Sequence, residues 1–256
     1  MRLDVYLSEN GFVQSRERAK RLILSGAVLL DGKPVKKPSE EICGTPVIEV
    51  KEERFVGRGG EKLQAALEIF GVDPAGLRAL DIGASTGGFT HCLLMNGAVA
   101  VTAIDAGVGQ LHPKLLSDER VTNVEKYNAR ELSVSDVGCF DLAVMDVSFI
   151  SQTYILPRLP QVLVEHGIAI TLIKPQFEAG RAALNKKGIV KDPCDRMFAI
   201  RRVLESARGV GLVPAGLALS PILGGDGNTE YLAYFTKNGV DAVNEELIRK
   251  IVSEGR

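Results

Sequence analysis

From Ala79 onward the sequence predicts an α/β fold, a Rossmann-like parallel sheet with helices on both faces, and ahead of it a small α+β unit. Three observations predict this. Short apolar runs alternate with segments of helical apolar spacing, several of those runs end in a single charged residue, and residues 1–50 differ from the rest in charge and turn signals. The chain has 256 residues, enough for one large and one small domain. Its net charge of -1 names no partner by itself.

The sheet is organised around Ala79-Leu80-Asp81-Ile82-Gly83-Ala84-Ser85-Thr86-Gly87-Gly88-Phe89-Thr90. An apolar run reaches an acid, then a glycine-studded turn, then helical spacing from Phe89 to Met95, which reads as strand, tight loop, helix. Gly83, Gly87 and Gly88 allow sharp turns and close approach to a ligand, and the helix points its free N–H groups at the same spot. Ser85 occupies the place where a dinucleotide fingerprint needs glycine. Asp81 would also repel a pyrophosphate. An acid there suits a cationic or neutral ligand, and S-adenosylmethionine fits; the alternative is a purely structural turn.

The remaining elements follow in order. A helix with Leu63, Ala66, Leu67 and Phe70 on one face precedes the loop and carries Lys62 in its first turn, against the helix dipole. Ala98–Ile104 is a second strand ending in Asp105, where a Rossmann-like fold puts an acid that accepts hydrogen bonds from adenosine ribose hydroxyls. Val121–Tyr127 is a third, followed by Asn128. Asp141–Met145 is a fourth, ending in Asp146, and Ile168–Ile173 a fifth, ending in Lys174. Helices are predicted over Gln152–Glu165 and Asp195–Gly209, and a last strand over Tyr231–Phe235 behind Glu230. Ligands of such a sheet sit at the carboxyl ends of the strands, so Asp81, Asp105, Asp146 and Lys174 should share one edge.

Residues 1–38 hold eight basic side chains against four acids. Ser15 caps a helix whose exposed face carries Arg16, Lys20 and Arg21, and Asp31-Gly32 signals a tight turn between two short strands. Such a face is the footprint of a phosphate-backbone binder. Arg2-Leu3-Asp4, Ser15-Arg16, Ala19-Lys20, Gly26-Val28 and Asp31-Gly32-Lys33-Val35 closely resemble the S4 RNA-binding domain over residues 1–50. That resemblance implies RNA contacts from Arg2, Arg16, Arg18, Lys20, Arg21, Lys33 and Lys36. Residues 51–60 read as a polar, glycine-containing join that adds Arg58, and residues 61–256 as the second domain.

The first residues lack a signal-peptide core, and no apolar run approaches the roughly 20 residues of a membrane span. Cys43, Cys92, Cys139 and Cys194 are scattered, which suggests neither a zinc site nor a disulfide framework and leaves a reducing cytoplasm as the default.

Arg58-Gly59-Gly60-Glu61-Lys62-Leu63, Asp81–Thr90, Met145–Ile150, Ile173-Lys174-Pro175-Gln176-Phe177-Glu178 and Gly227–Tyr231 resemble, block by block, the hemolysin A-like (TlyA) ribosomal RNA methyltransferases. These join an S4 domain to an FtsJ-like domain. The resemblance implies S-adenosylmethionine-dependent ribose 2′-O-methylation of ribosomal RNA or ribosomal subunits, without a metal, by a tetrad of Lys62, Asp146, Lys174 and Glu230. It also implies an antiparallel last strand that returns Glu230 to the active edge. A ribose hydroxyl is a poor nucleophile, so a base or strong electrostatic help must accompany attack on the sulfonium methyl. The implied roles give Lys174 the hydroxyl proton and Lys62 the ribose or a neighbouring phosphate. Gly83 and Gly87 would meet the methionine portion, with Ser85 and Gly88 in the same cradle. Asp81 would orient the loop or the amino group, Asp105 would hold the ribose, and Asn128 the adenine edge. The basic run Gly180-Arg181 with Asn185-Lys186-Lys187-Gly188 reads equally as a surface loop or an RNA-gripping lid. Competing classes are an RNA-binding assembly factor without catalysis and a membrane-active hemolysin.

Overall fold

The computed structural model describes residues 1–13, 15–42, 44, 46–50 and 54–255, without the side chains of Arg21 and Ser25. Cys43 and residues 51–53 of the join lie outside the described residues. Two compact units appear, Met1–Arg54 and Phe55–Arg256.

In the first unit, α1 (Leu3–Glu9) and α2 (Arg16–Ser25) pack through Leu3, Leu7, Ala19, Leu22 and Ile23. Ser15 Oγ accepts the Arg18 N–H, and Gly26 ends α2 in the left-handed region at φ 77°, where a side chain would be strained. The hairpin of β1 (Val28–Leu30) and β2 (Lys33–Pro34) turns through Asp31 and Gly32, both at positive φ, in the tight two-residue register Leu30↔Lys33. β3 (Ile48–Val50) pairs with the other side of β1.

The second unit runs α3 (Gly59–Phe70), β4 (Arg78–Ile82), α4 (Gly88–Met95), β5 (Ala100–Ile104), α5 (Pro113–Leu116), β6 (Val121–Val124), α6 (Val134–Val137) and β7 (Phe140–Met145). It continues through α7 (Leu159–Val162), β8 (Leu163–Ile173), α8 (Pro175–Glu178), α9 (Pro193–Gly209), β9 (Val213–Leu219), β10 (Tyr231–Thr236) and α10 (Glu245–Glu254). The sheet order is β6-β5-β4-β7-β8-β10-β9; the first five strands are parallel, and β10 runs antiparallel to β8 and β9. One face packs on Leu63, Ala66, Phe89 and Leu93, the other on Ile200, Leu204, Ile248 and Ile251. Residues 79–82 of β4 are buried on both faces, so their register is firmly specified. Fully burying Leu80 and Ile82 contributes about 1.5–3 kcal/mol each.

Several stretches differ from the sequence reading, the following among them. Gln152–Glu165 is not a helix: Pro157 and Pro160 break it into single turns, and β8 starts at Leu163. The third strand stops at Val124, so Tyr127 leaves the sheet. β9 went unforeseen because Pro214 and Gly216 obscure its pattern; it is an edge strand, where proline is tolerated, and the pairing is bulged between Tyr234 and Phe235. Finally, residues 55–60, read from the sequence as part of the join, cluster with the second unit. Phe55 is buried against Gly60, where a Cβ would lie 2.2 Å from its ring.

Candidate active site

β4 is the switch point of the sheet: the chain moves outward to β5 and β6 on one side and to β7 and β8 on the other. A crevice therefore opens beyond its carboxyl end. A cavity of about 530 Å³ lies there, and its walls include Gly83, Ser85, Asp105, Tyr127, Asn128, Asp146, Ser148 and Phe149.

The cofactor loop shapes one wall. Gly83 has φ 82°, and a Cβ there would lie 2.9 Å from the Asp146 carbonyl oxygen, so only glycine keeps this space open. Ser85 is also at positive φ, and its N–H donates to Asp105 Oδ2 at 2.8 Å, while Gly107 N–H donates to Oδ1 at 2.7 Å. These bonds orient the Asp105 carboxylate, which has lone pairs left for further donors. Asn128 stands in the wall with its Oδ1 accepting from Arg130 N–H and its Nδ2 donating to Glu131.

Asp81, Gly87 and Gly88 are not in the cavity wall; packing explains each of them. A Cβ on Gly87 would lie 2.2 Å from Leu115 Cδ1 and one on Gly88 would press on the backbone of residues 57–60, so Gly87 leaves room for α5 and Gly88 lets α3 and α4 approach. Asp81 is fully buried under the loop, where Thr90 N–H and Oγ–H donate to its Oδ2 at 2.9 and 2.6 Å, tying the start of α4 to β4. Among the described residues its Oδ1 has no hydrogen-bond partner. Burial outweighs the Thr90 bonds and pushes this carboxyl up to about 7, with Asp146 and Asp105 adding to the rise.

The four tetrad residues form two ion pairs at the same edge. Lys174 Nζ lies 2.6 Å from Asp146 Oδ1 and donates a hydrogen bond to Ser148 Oγ at 2.8 Å. Lys62, only 6% exposed, bonds Glu230 Oε2. This partner explains a lysine in the first turn of a helix: the ion pair outweighs the few tenths of a kcal/mol that the dipole costs. The antiparallel register Tyr231↔Ile173 sets Glu230 beside Lys174. At the start of α3, Gly59 stands so close to Asp146 that a Cβ there would lie 3.8 Å from its Oδ2. Two amines and two carboxylates from distant stretches thus lie along one sheet edge; of the four, only Asp146 stands in the cavity wall.

Ser148 and Phe149 were not assigned roles in the sequence. Phe149 is 92% exposed at the cavity mouth with φ 64°, a strained conformation for a bulky side chain, and its ring lies 5.4 Å from that of Phe177. An exposed aromatic within an apolar-polar hexapeptide was the available signal. In the first unit, the buried Asp4 carboxylate binds Arg2 and Arg16, each at 2.9 Å, and these arginines hold it down to about 2. Lys20 pairs with Glu17, Lys33 and Lys36 are exposed, and Arg58 is exposed in the second unit. The Arg21 side chain lies outside the described residues.

A Rossmann-like sheet with an antiparallel β10, a glycine-lined cavity at its switch point and an acid closing β5 defines the S-adenosylmethionine-dependent methyltransferase class. The FtsJ-like methyltransferase family model matches residues 55–237 and the S4 domain model residues 1–46. The chain belongs to the FtsJ-like methyltransferase family, in the branch that carries an S4 domain. A candidate rRNA methyltransferase of Bacillus subtilis is 42% identical over 99% of this chain and 93% of its own length. The 16S/23S rRNA (cytidine-2′-O)-methyltransferase TlyA of Mycobacterium tuberculosis is 38% identical over 99% of this chain and 98% of its own. Among solved structures, a candidate hemolysin from Streptococcus thermophilus superposes with a TM-score of 0.79 at 39% identity, covering 99% of this chain and 94% of that one. Among the described residues no helix is long and apolar enough to cross a membrane.

Proposed function

We propose that the chain methylates a ribose 2′-hydroxyl of ribosomal RNA, with S-adenosylmethionine as donor, in the cytoplasm. The observation that carries this reading is the pairing of Lys174 with Asp146, which lines the cavity, and of Lys62 with Glu230, which stands next to Lys174 in strand register. When bound, the cofactor supplies an electrophilic methyl group. The cavity fits it: Gly83 keeps the wall open, and Asp105 and Asn128 line it, where Asp105 would hold the ribose and Asn128 the adenine edge.

Lys174 and Ser148 orient the target hydroxyl. As the oxygen attacks, its proton passes to the Lys174 amine, which has first released its own proton to solvent, and Asp146 positions that amine. Lys62 has N–H donors left beyond the one given to Glu230, and these hold the ribose or a flanking phosphate. Phe149 offers its exposed face to the base of the target nucleotide, for base edges stacked in a helix would keep the ribose from the amines. The S4 unit, with Arg2 and Arg16 oriented by Asp4, adds grip on phosphates.

The test is transfer of labelled methyl groups to 16S and 23S rRNA in isolated subunits, followed by mass-spectrometric mapping of ribose methylation. Lys174→Ala and Lys174→Arg should both lose transfer while binding cofactor nearly as well, because arginine keeps the charge and cannot accept a proton. Activity retained in the arginine variant would remove the base role.

A further inference from the structure

The segment from Gly180 to Lys191 leaves the active edge six residues after Lys174 and holds Arg181, Lys186, Lys187 and Lys191 without a single acid. All four side chains are exposed, and among the described residues none of them is in an ion pair. The backbone between them is tied down from two directions. Asn185 Oδ1 accepts the N–H groups of Lys187 and Ile189 at 2.8 and 3.0 Å, which shapes the turn at the tip. Beneath it, Asn228 donates from Nδ2 to the Gly188 carbonyl at 3.0 Å and accepts the Val190 N–H at 3.0 Å. Arg196 donates from Nε to the Val190 carbonyl, also at 3.0 Å. Asn228 and Arg196 are both buried, with Asn228 only 1% exposed.

This arrangement has a cost and a use. Like charges gathered on a rigid loop repel one another, and buried polar side chains hold them there. Asn228 stands two residues before Glu230, so the segment that delivers a tetrad carboxylate also fixes the loop. Whatever brings a ribose to that carboxylate brings phosphates on either side of it. Lysine suits a phosphate as a point charge, and a loop already ordered spends little conformational entropy on binding.

We propose that residues 181–191 form a pre-ordered phosphate-binding surface for RNA on the catalytic unit, separate from the S4 unit; this rests on the rRNA methyltransferase reading. Lys186 and Lys187 at the tip are its principal contacts, and Asn228 and Arg196 are its positioning residues.

The experiment uses the full chain with 16S and 23S rRNA in isolated ribosomal subunits, with affinity measured across a salt series. For Lys186→Ala/Lys187→Ala, the slope of log affinity against log salt should fall by about 1.4 to 1.8, the loss of two phosphate contacts. Cofactor affinity by calorimetry should stay that of the unsubstituted chain, and Lys186→Glu/Lys187→Glu should weaken RNA binding further. If the unsubstituted chain binds RNA and the double variant keeps the same slope, this surface is overturned. A changed cofactor affinity would also overturn it, since the lysines would then act through the fold. If the unsubstituted chain binds no rRNA, the rRNA reading fails and the surface fails with it.

Discussion

Asp81 offers a stability test with a definite sign. Its carboxyl is pushed from 3.8 to about 7 by burial, so the folded chain holds this proton more tightly than the unfolded one. For an acid shifted upward, the proton contributes stability in full below the unfolded value, and that contribution is lost as pH rises through the folded value. The whole shift of about three units corresponds to about 4 kcal/mol, of which about 2 to 3 kcal/mol should disappear between pH 5 and pH 8. Asp81→Asn removes the titration and keeps an oxygen for the Thr90 N–H and Oγ–H. Urea unfolding of both chains from pH 5 to pH 8 is the assay. The difference in midpoint between variant and parent should move by about 1 M across that range in favour of asparagine at high pH, given slopes of a few kcal/mol per molar. Other groups titrate in both chains and cancel. Parallel pH profiles would show that Asp81 is already ionised in the folded protein and would refute the reasoning.

Three further outcomes follow from the site. Gly83→Ala meets both a left-handed φ and a carbonyl oxygen at 2.9 Å, so cofactor binding by calorimetry should fall at least tenfold, about 1.4 kcal/mol. Glu230→Ala leaves the Lys62 ammonium buried without its partner and should cost about 3–5 kcal/mol in chemical unfolding, with transfer lost as well; Glu230→Gln should recover part of the stability. Phe149→Gly relieves a strained backbone and should raise the melting temperature, while losing a stacking face worth about 1–3 kcal/mol and so raising the KM for RNA about 5- to 150-fold.

The order and type of most elements could be read from local pattern. The apolar runs at 79–82 and 142–145 are buried on both faces, and burial of that kind leaves a continuous hydrophobic signature; the run at 100–104 is buried mainly on one face and still reads as apolar. Ser15, Gly26 and Asp31-Gly32 act within a few residues of themselves, so their caps and turn were equally plain. The tetrad could be named because its four residues sit inside recognisable blocks. Where local signals conflict, the pattern misled: Pro157 and Pro160 broke an apparent helix, and Pro214 hid an edge strand.

Sequence alone determined that a charged residue stands at or next to the carboxyl end of four apolar strands, since apolar patterning is a property of the chain's own periodicity. Tertiary structure decided what each charge meets: Lys62 finds Glu230 across 168 positions of chain, and Asp81 is held beneath the loop, outside the cavity it appeared to face. It also decided that Gly60, Gly87 and Gly88 serve close packing, because the atoms a Cβ would strike belong to other elements. Local spacing records which residues share a strand or helix face. It holds no record of which distant atoms occupy the space beside them, and ion pairs, desolvation and steric room are set by that proximity alone.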